Sequence, residues 1–108
     1  MNVTFKGYEC EVVFGRYFDG NNAIQLVNKN DGELVTVASV NGGLRLTDDA
    51  VGIKTWSENE DIVRSLVNGG VIEPELLGVE PTGFVEIEFY RLTTASLEKI
   101  NELKEEWQ

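Results

Sequence analysis

The stretch "IKTWSENEDIVRSLVNGGVIEP", Ile53–Pro74, decides the fold class. Ser57 followed by Glu60 has the spacing of a capping box. In that motif the serine oxygen accepts from the third helical amide, and the glutamate reaches back to the cap. Glu58, Glu60 and Asp61 then fall in a first helical turn, where the helix dipole favours negative charge. Ile62, Val63, Leu66 and Val67 recur at helical spacing and read as one buried stripe. Gly69-Gly70 supplies a left-handed stop. The pattern predicts a helix from Glu58 to Asn68, and helix initiation accounts for its acids.

Upstream of this helix the chain reads as strands. "YECEVVF" alternates Tyr8, Cys10, Val12 and Phe14 against Glu9, Glu11 and Val13, a half-buried strand with an acidic outer face. "NAIQLVNK" and "ELVTVASVN" flank Asp31-Gly32, a hairpin turn signal because glycine accepts positive φ. Asp19–Asn22 and Asn41–Gly43 make further turns. Downstream, "EPELLGVEPTG" reads as a loop fixed by Pro74 and Pro81. In "FVEIEFYRL", Val85, Ile87 and Phe89 share one face, and Phe84, Glu86, Glu88 and Tyr90 the other. A last helix is capped by Thr93 or Thr94 and carries Leu97, Ile100, Leu103 and Trp107 on a narrow apolar stripe. The order is β-β-β-(β)-α-β-α. The expectation is one α+β domain over residues 1–108: an antiparallel meander of four to five strands with two helices packed on one sheet face.

Charge narrows the partners. The chain has 19 acids and 9 bases, a net charge of −10. That field repels nucleic acid and anionic membrane surfaces. From Asp48 to Glu88 there are ten acids and two bases, so this segment carries −8 and the other 67 residues −2. Such asymmetry points to a basic protein partner or to a well-hydrated half. One cysteine, Cys10, forms no internal disulfide and suits a reducing cytoplasm. No apolar run approaches the ~20 residues of a membrane helix.

Catalytic chemistry is scarce. Without histidine, the usual general base, histidine-activated nucleophiles and most zinc sites are excluded. Cys10 reads as a core residue. "VNGGLRL" lacks a phosphate-binding signature. "NKNDGELV" fails as a calcium loop, since Lys29 stands where a ligand should. Glu86 with Glu88, and Glu9 with Glu11, are the surviving carboxylate pairs. A glycosidase needs such a pair across a cleft, roughly 5–10 Å apart, and 108 residues leave little room for one. The expectation is therefore no catalytic residue, no metal ligand and no cofactor.

The segments "AIQLV", "DGE", "VTVASVN", "IKTWSENE", "LVNGGVIEP" and "PTGFVEIEFYRL" carry a resemblance in order and spacing from about Arg16 to Leu92. They resemble a small uncharacterised bacterial domain family of Gram-positive genomes, their phages and conjugative elements. The resemblance implies an accessory protein of mobile elements and transfers no site residues. In that setting small acidic proteins act as inhibitors of host defence. The expected function is non-enzymatic inhibition of a host defence nuclease, anti-CRISPR-like or anti-restriction-like, by protein contact that imitates nucleic acid. The candidate surface comprises Asp48, Asp49, Trp56, Glu58, Asp61, Glu73, Glu75, Glu86, Glu88 and Tyr90. Trp56, Phe84 and Tyr90 stand as anchors, with core burial as their other reading. The alternatives are a structural or regulatory accessory protein, or a module binding a small molecule or signal nucleotide. For an anionic ligand the available bases are Arg16, Arg45, Lys54, Arg64 and Arg91.

Overall fold

The computed structural model describes residues 1–106. Strands β1 (Asn2–Phe5), β2 (Tyr8–Arg16), β3 (Asn22–Asn28) and β4 (Leu34–Val37) form an antiparallel meander in that order. β2 follows its alternation: Cys10, Val12 and Phe14 are buried and Val13 is exposed. Tyr8, beside the β1–β2 turn, is exposed instead. The β3–β4 turn closes at Gly32, whose φ of 75° only glycine adopts cheaply. β1, which no sequence pattern flagged, is four residues long and buries Val3 and Phe5.

A second antiparallel sheet holds β5 (Ala50–Ile53), β6 (Ile72–Thr82) and β7 (Val85–Leu92), with β7 central. Residues 38–40 join the two sheets. The Ala38 amide donates to the Ile24 carbonyl at 2.9 Å. On the other side, the Val40 amide donates to Gly52 at 3.0 Å and the Lys54 amide to Ala38 at 2.9 Å. This strap bonds to β3 and to β5, so the core runs continuously under both sheets. Val3, Leu26, Val51, Ile53 and Leu92 share that core with Ile62 and Leu66 of α1 (Ile62–Asn68) and Ile100 of α2 (Thr94–Glu106). The α+β class stands and the element order holds roughly: seven strands in two sheets replace the single meander of four to five, two strands instead of one separate the helices, and both helices lie on the core side.

α2 starts where Thr93 predicts. Its hydroxyl oxygen accepts from the Ser96 amide at 3.1 Å, satisfying a donor of the first turn. Leu97, Ile100 and Leu103 pack inward. Trp107 lies outside the described residues. No described helix is long and apolar enough to cross a membrane.

Two expectations are corrected. The helix drawn from Glu58 begins at Ile62 and no capping box forms. Ser57–Asn59 is a separate 3-10 turn, and neither helical start has a side-chain cap. Ser57 and Asp61 take φ of 61° and 67°, in the left-handed region. The reason is Asn59, which is fully buried. Its carboxamide donates to the Val37 carbonyl at 2.9 Å and accepts from the Thr36 hydroxyl at 2.5 Å. Seating Asn59 on the edge of β4 breaks the chain direction that a longer helix needs. The second correction concerns residues 73–82, read as a loop. They lie in strand β6, with register shifts at Ile72/Leu76 and Leu76/Gly78. β6 is an edge strand, where proline removes no ladder hydrogen bond if its nitrogen faces outward.

Candidate interaction surface

The acids of the second half do not form one track. Asp48 and Asp49 lie in the turn before β5, and Arg45 and Arg91 pair with them, both at 3.3 Å. Glu58 pairs with Lys54 at 2.6 Å in the 3-10 turn. That lysine is the main reason its carboxyl is held down at about 2. Asp49 is also lowered, first by the Thr47 hydroxyl and then by Arg91. Asp61 is exposed beside α1. Trp56 is half-buried, between the two readings offered for it.

Two candidates on β7 are corrected. Tyr90 is 5% exposed and belongs to the core, so it is no surface anchor. Val51 pairs with Tyr90 and Ile53 with Glu88, which puts Glu88 and Tyr90 on the core side of the sheet. The Tyr90 hydroxyl donates to Glu88 at 2.5 Å. Burial, and then this carboxylate, push the Tyr90 phenol well above its usual range. Glu88 is half-buried and does not face out. The physical reason is that β7 is central and covered on both faces. Ile87, on the opposite face, is 1% exposed. Residues 40–43 cross that face: a Cβ on Gly52 would meet the Val40 carbonyl at 2.8 Å and Ile87 at 3.0 Å. The Gly43 amide donates to the Glu80 carboxylate at 2.9 Å.

The remaining candidates gather on the β6–β7 hairpin. Glu73 and Glu75 flank Pro74 and, with Leu77 and Arg91, line a shallow hollow of about 430 Å³. Glu86 pairs in register with Pro81 near the other end. Among the described residues no base forms an ion pair with Glu73, Glu75 or Glu86. Between them stand exposed apolar side chains that the sequence reading missed, Leu76, Leu77 and Val79 on β6; Phe84, one of the expected anchors, is fully exposed at the turn. The signal was present in "PELLGVEP", where two prolines frame an apolar run. Reading them as loop residues hid the strand between them.

A second hollow, about 270 Å³, opens on the outer face of the meander. Gly15 and Ala23 form its floor, with Val13, Tyr17, Gln25 and Val37 around it. Of the five bases available for an anionic ligand, only Arg16 lines it. Arg45, Lys54 and Arg91 are engaged with acids.

No protein-family model, no curated protein and no solved structure matches this chain.

Proposed function

We propose that the protein is a non-enzymatic inhibitor that works by protein–protein contact on a basic partner, a host defence nuclease being the target class. The observation that supports this reading is the β6–β7 hairpin. It presents Leu76, Leu77, Val79 and Phe84 beside the carboxylates of Glu73, Glu75 and Glu86. Exposed apolar side chains rimmed mainly by carboxylates suit a partner surface that is partly apolar and basic. The dispersal of the other acids, three of them paired with neighbouring bases, moves the proposal away from imitation of a phosphate track. The hairpin alone becomes the contact. The resemblance to a family of phages and conjugative elements supplies the setting, and with it the cytoplasm.

The test is phage plating on a host with an active restriction or CRISPR nuclease, with and without this protein. Expression should raise plating. Phe84→Ala, and Glu73→Lys with Glu75→Lys and Glu86→Lys, should abolish the gain at an unchanged melting temperature. No gain against any such nuclease would sink the reading. The hollow over Gly15 favours a second reading, capture of a small molecule. A thermal-shift screen checks it, because a bound ligand raises the melting temperature.

A further inference from the structure

Among the described residues, the outer margins of β1, β4 and β5 each meet another part of the chain. The outer side of β1 lies against the end of α1. A Cβ on Gly69 would meet Val3 Cγ2 at 2.7 Å and the Asn2 carbonyl at 2.9 Å. The edge of β4 is held by the Asn59 carboxamide, and β5 is bonded by the strap at residues 38–40. β6 pairs with β7 on one side alone. Among the described residues, no backbone hydrogen bond other than those to β7 involves residues 73–82. Its outer row of amides and carbonyls is therefore bare, and a bare row is a template for another strand.

The edge is also framed. Pro74 and Pro81 bound the window Glu75–Glu80. A proline has no amide to give, so an added strand finds no donor at either of them. Leu76 pairs with Tyr90 and Val79 with Glu88, so these two exposed apolar side chains share a face. We infer that this window takes up an extended basic segment of the partner protein, added to the second sheet as a fourth strand through backbone hydrogen bonds. The inference rests on the protein-contact reading and specifies its mode. Apolar side chains of the incoming strand lie beside Leu76 and Val79, and its lysines or arginines meet Glu73 and Glu75. A second copy of this chain fits poorly. Antiparallel self-pairing centred on the window sets Glu75 opposite the partner copy's Glu80, and like charges directly opposite are destabilising. Two chains of −10 also repel at long range.

The experiment uses the full chain, labelled with nitrogen-15, and a synthetic peptide of alternating lysine and valine, roughly nine residues, long enough to span the window. Controls are the same peptide N-methylated at alternate residues and a glutamate–valine peptide. Binding should shift the amides of residues 75–80 and slow their hydrogen exchange. N-methylation should weaken binding at least about tenfold, because the lost bonds are backbone ones. Equal binding by the methylated peptide, shifts confined elsewhere, or no binding would each overturn strand addition. The plating assay stands apart from this result. Inhibition without peptide binding leaves the contact reading and removes its strand mode. Peptide binding without inhibition keeps the docking edge and removes the nuclease.

Discussion

The Thr36 hydroxyl donates to the Asn59 carboxamide oxygen at 2.5 Å, across 23 residues of chain, and both side chains are buried. Asn59 thus does for the β4 edge what a neighbouring strand would do. Asn59→Ala leaves the Thr36 hydroxyl and the Val37 carbonyl without partners. The expected cost is about 2–4 kcal/mol, from two lost bonds and two stranded polar groups. Asn59→Asp keeps the size, loses the donor and sets a charge against the carbonyl, so it should cost at least as much. Urea unfolding of the two variants checks both.

Ser57→Ala should leave the urea midpoint almost where it is, within about 0.5 kcal/mol. Ser57 is exposed and caps no helix. A loss near ~1 kcal/mol, the usual worth of an N-cap, would show that the capping box forms after all.

Gly52→Ala tests how closely the strap lies on the second sheet. The new methyl group would meet the Val40 carbonyl at 2.8 Å and Ile87 Cγ2 at 3.0 Å. Backbone on one side and a buried side chain on the other leave little room to yield. Overpacking of this kind costs about 1–3 kcal/mol, read as a lower melting temperature.

Tyr90 makes stability fall in alkali. Its folded phenol is held above its ordinary value of 10.0, mainly by burial and then by Glu88. The folded state therefore keeps a proton that the unfolded chain gives up. Stability is full below pH ~10 and declines as pH rises toward the raised folded value. Tyr90→Phe should remove this decline, at the cost of about 1 kcal/mol near neutrality for the lost bond to Glu88. Melting temperatures across the alkaline range give the comparison.

Glu58 works in the opposite direction. Lys54 holds its carboxyl at about 2, below the ordinary 4.5. Its contribution is present above pH 4.5 and is lost as pH falls through about 2. Lys54→Met should raise the Glu58 carboxyl toward the ordinary range in a carbon-13 NMR titration, with its own amide and the Ser57 side chain still holding it somewhat low. The overall stability should change little, because the pair is exposed to solvent.

Local signals carried most of the fold. The alternation of β2, the Asp31-Gly32 turn, the stripe Ile62, Leu66 and the Thr93 cap all stand where their physics puts them. What stayed hidden depends on partners far along the chain. Asn59 sits among acids that suit a helix start, and only β4 gives it a reason to be buried. Tyr90 alternates with glutamates, a pattern proper to a strand with one wet face. A central strand covered on both faces breaks that rule, and the cover over Ile87 comes from residues 40–43. The candidate surface was half legible. Its acids were visible as charge, whereas the apolar row on β6 was concealed by prolines that punctuate loops and guard edges alike.

The packing of Gly69 against Val3 has a consequence for synthesis. A ribosome releases all four strands of the meander well before α1 exists. Until then the nascent sheet has a bare margin at β1 and half a core. The Ser96 hydroxyl, which lies against the Met1 sulfur at 3.5 Å, arrives later still. The Met1–Ser96 contact spans 95 residues, and long-range closure of this kind is slow. In that interval neighbouring nascent chains on one messenger can pair through β1. Completion of α1 covers that margin, so the order in which the chain emerges decides how long β1 is open to its own copies.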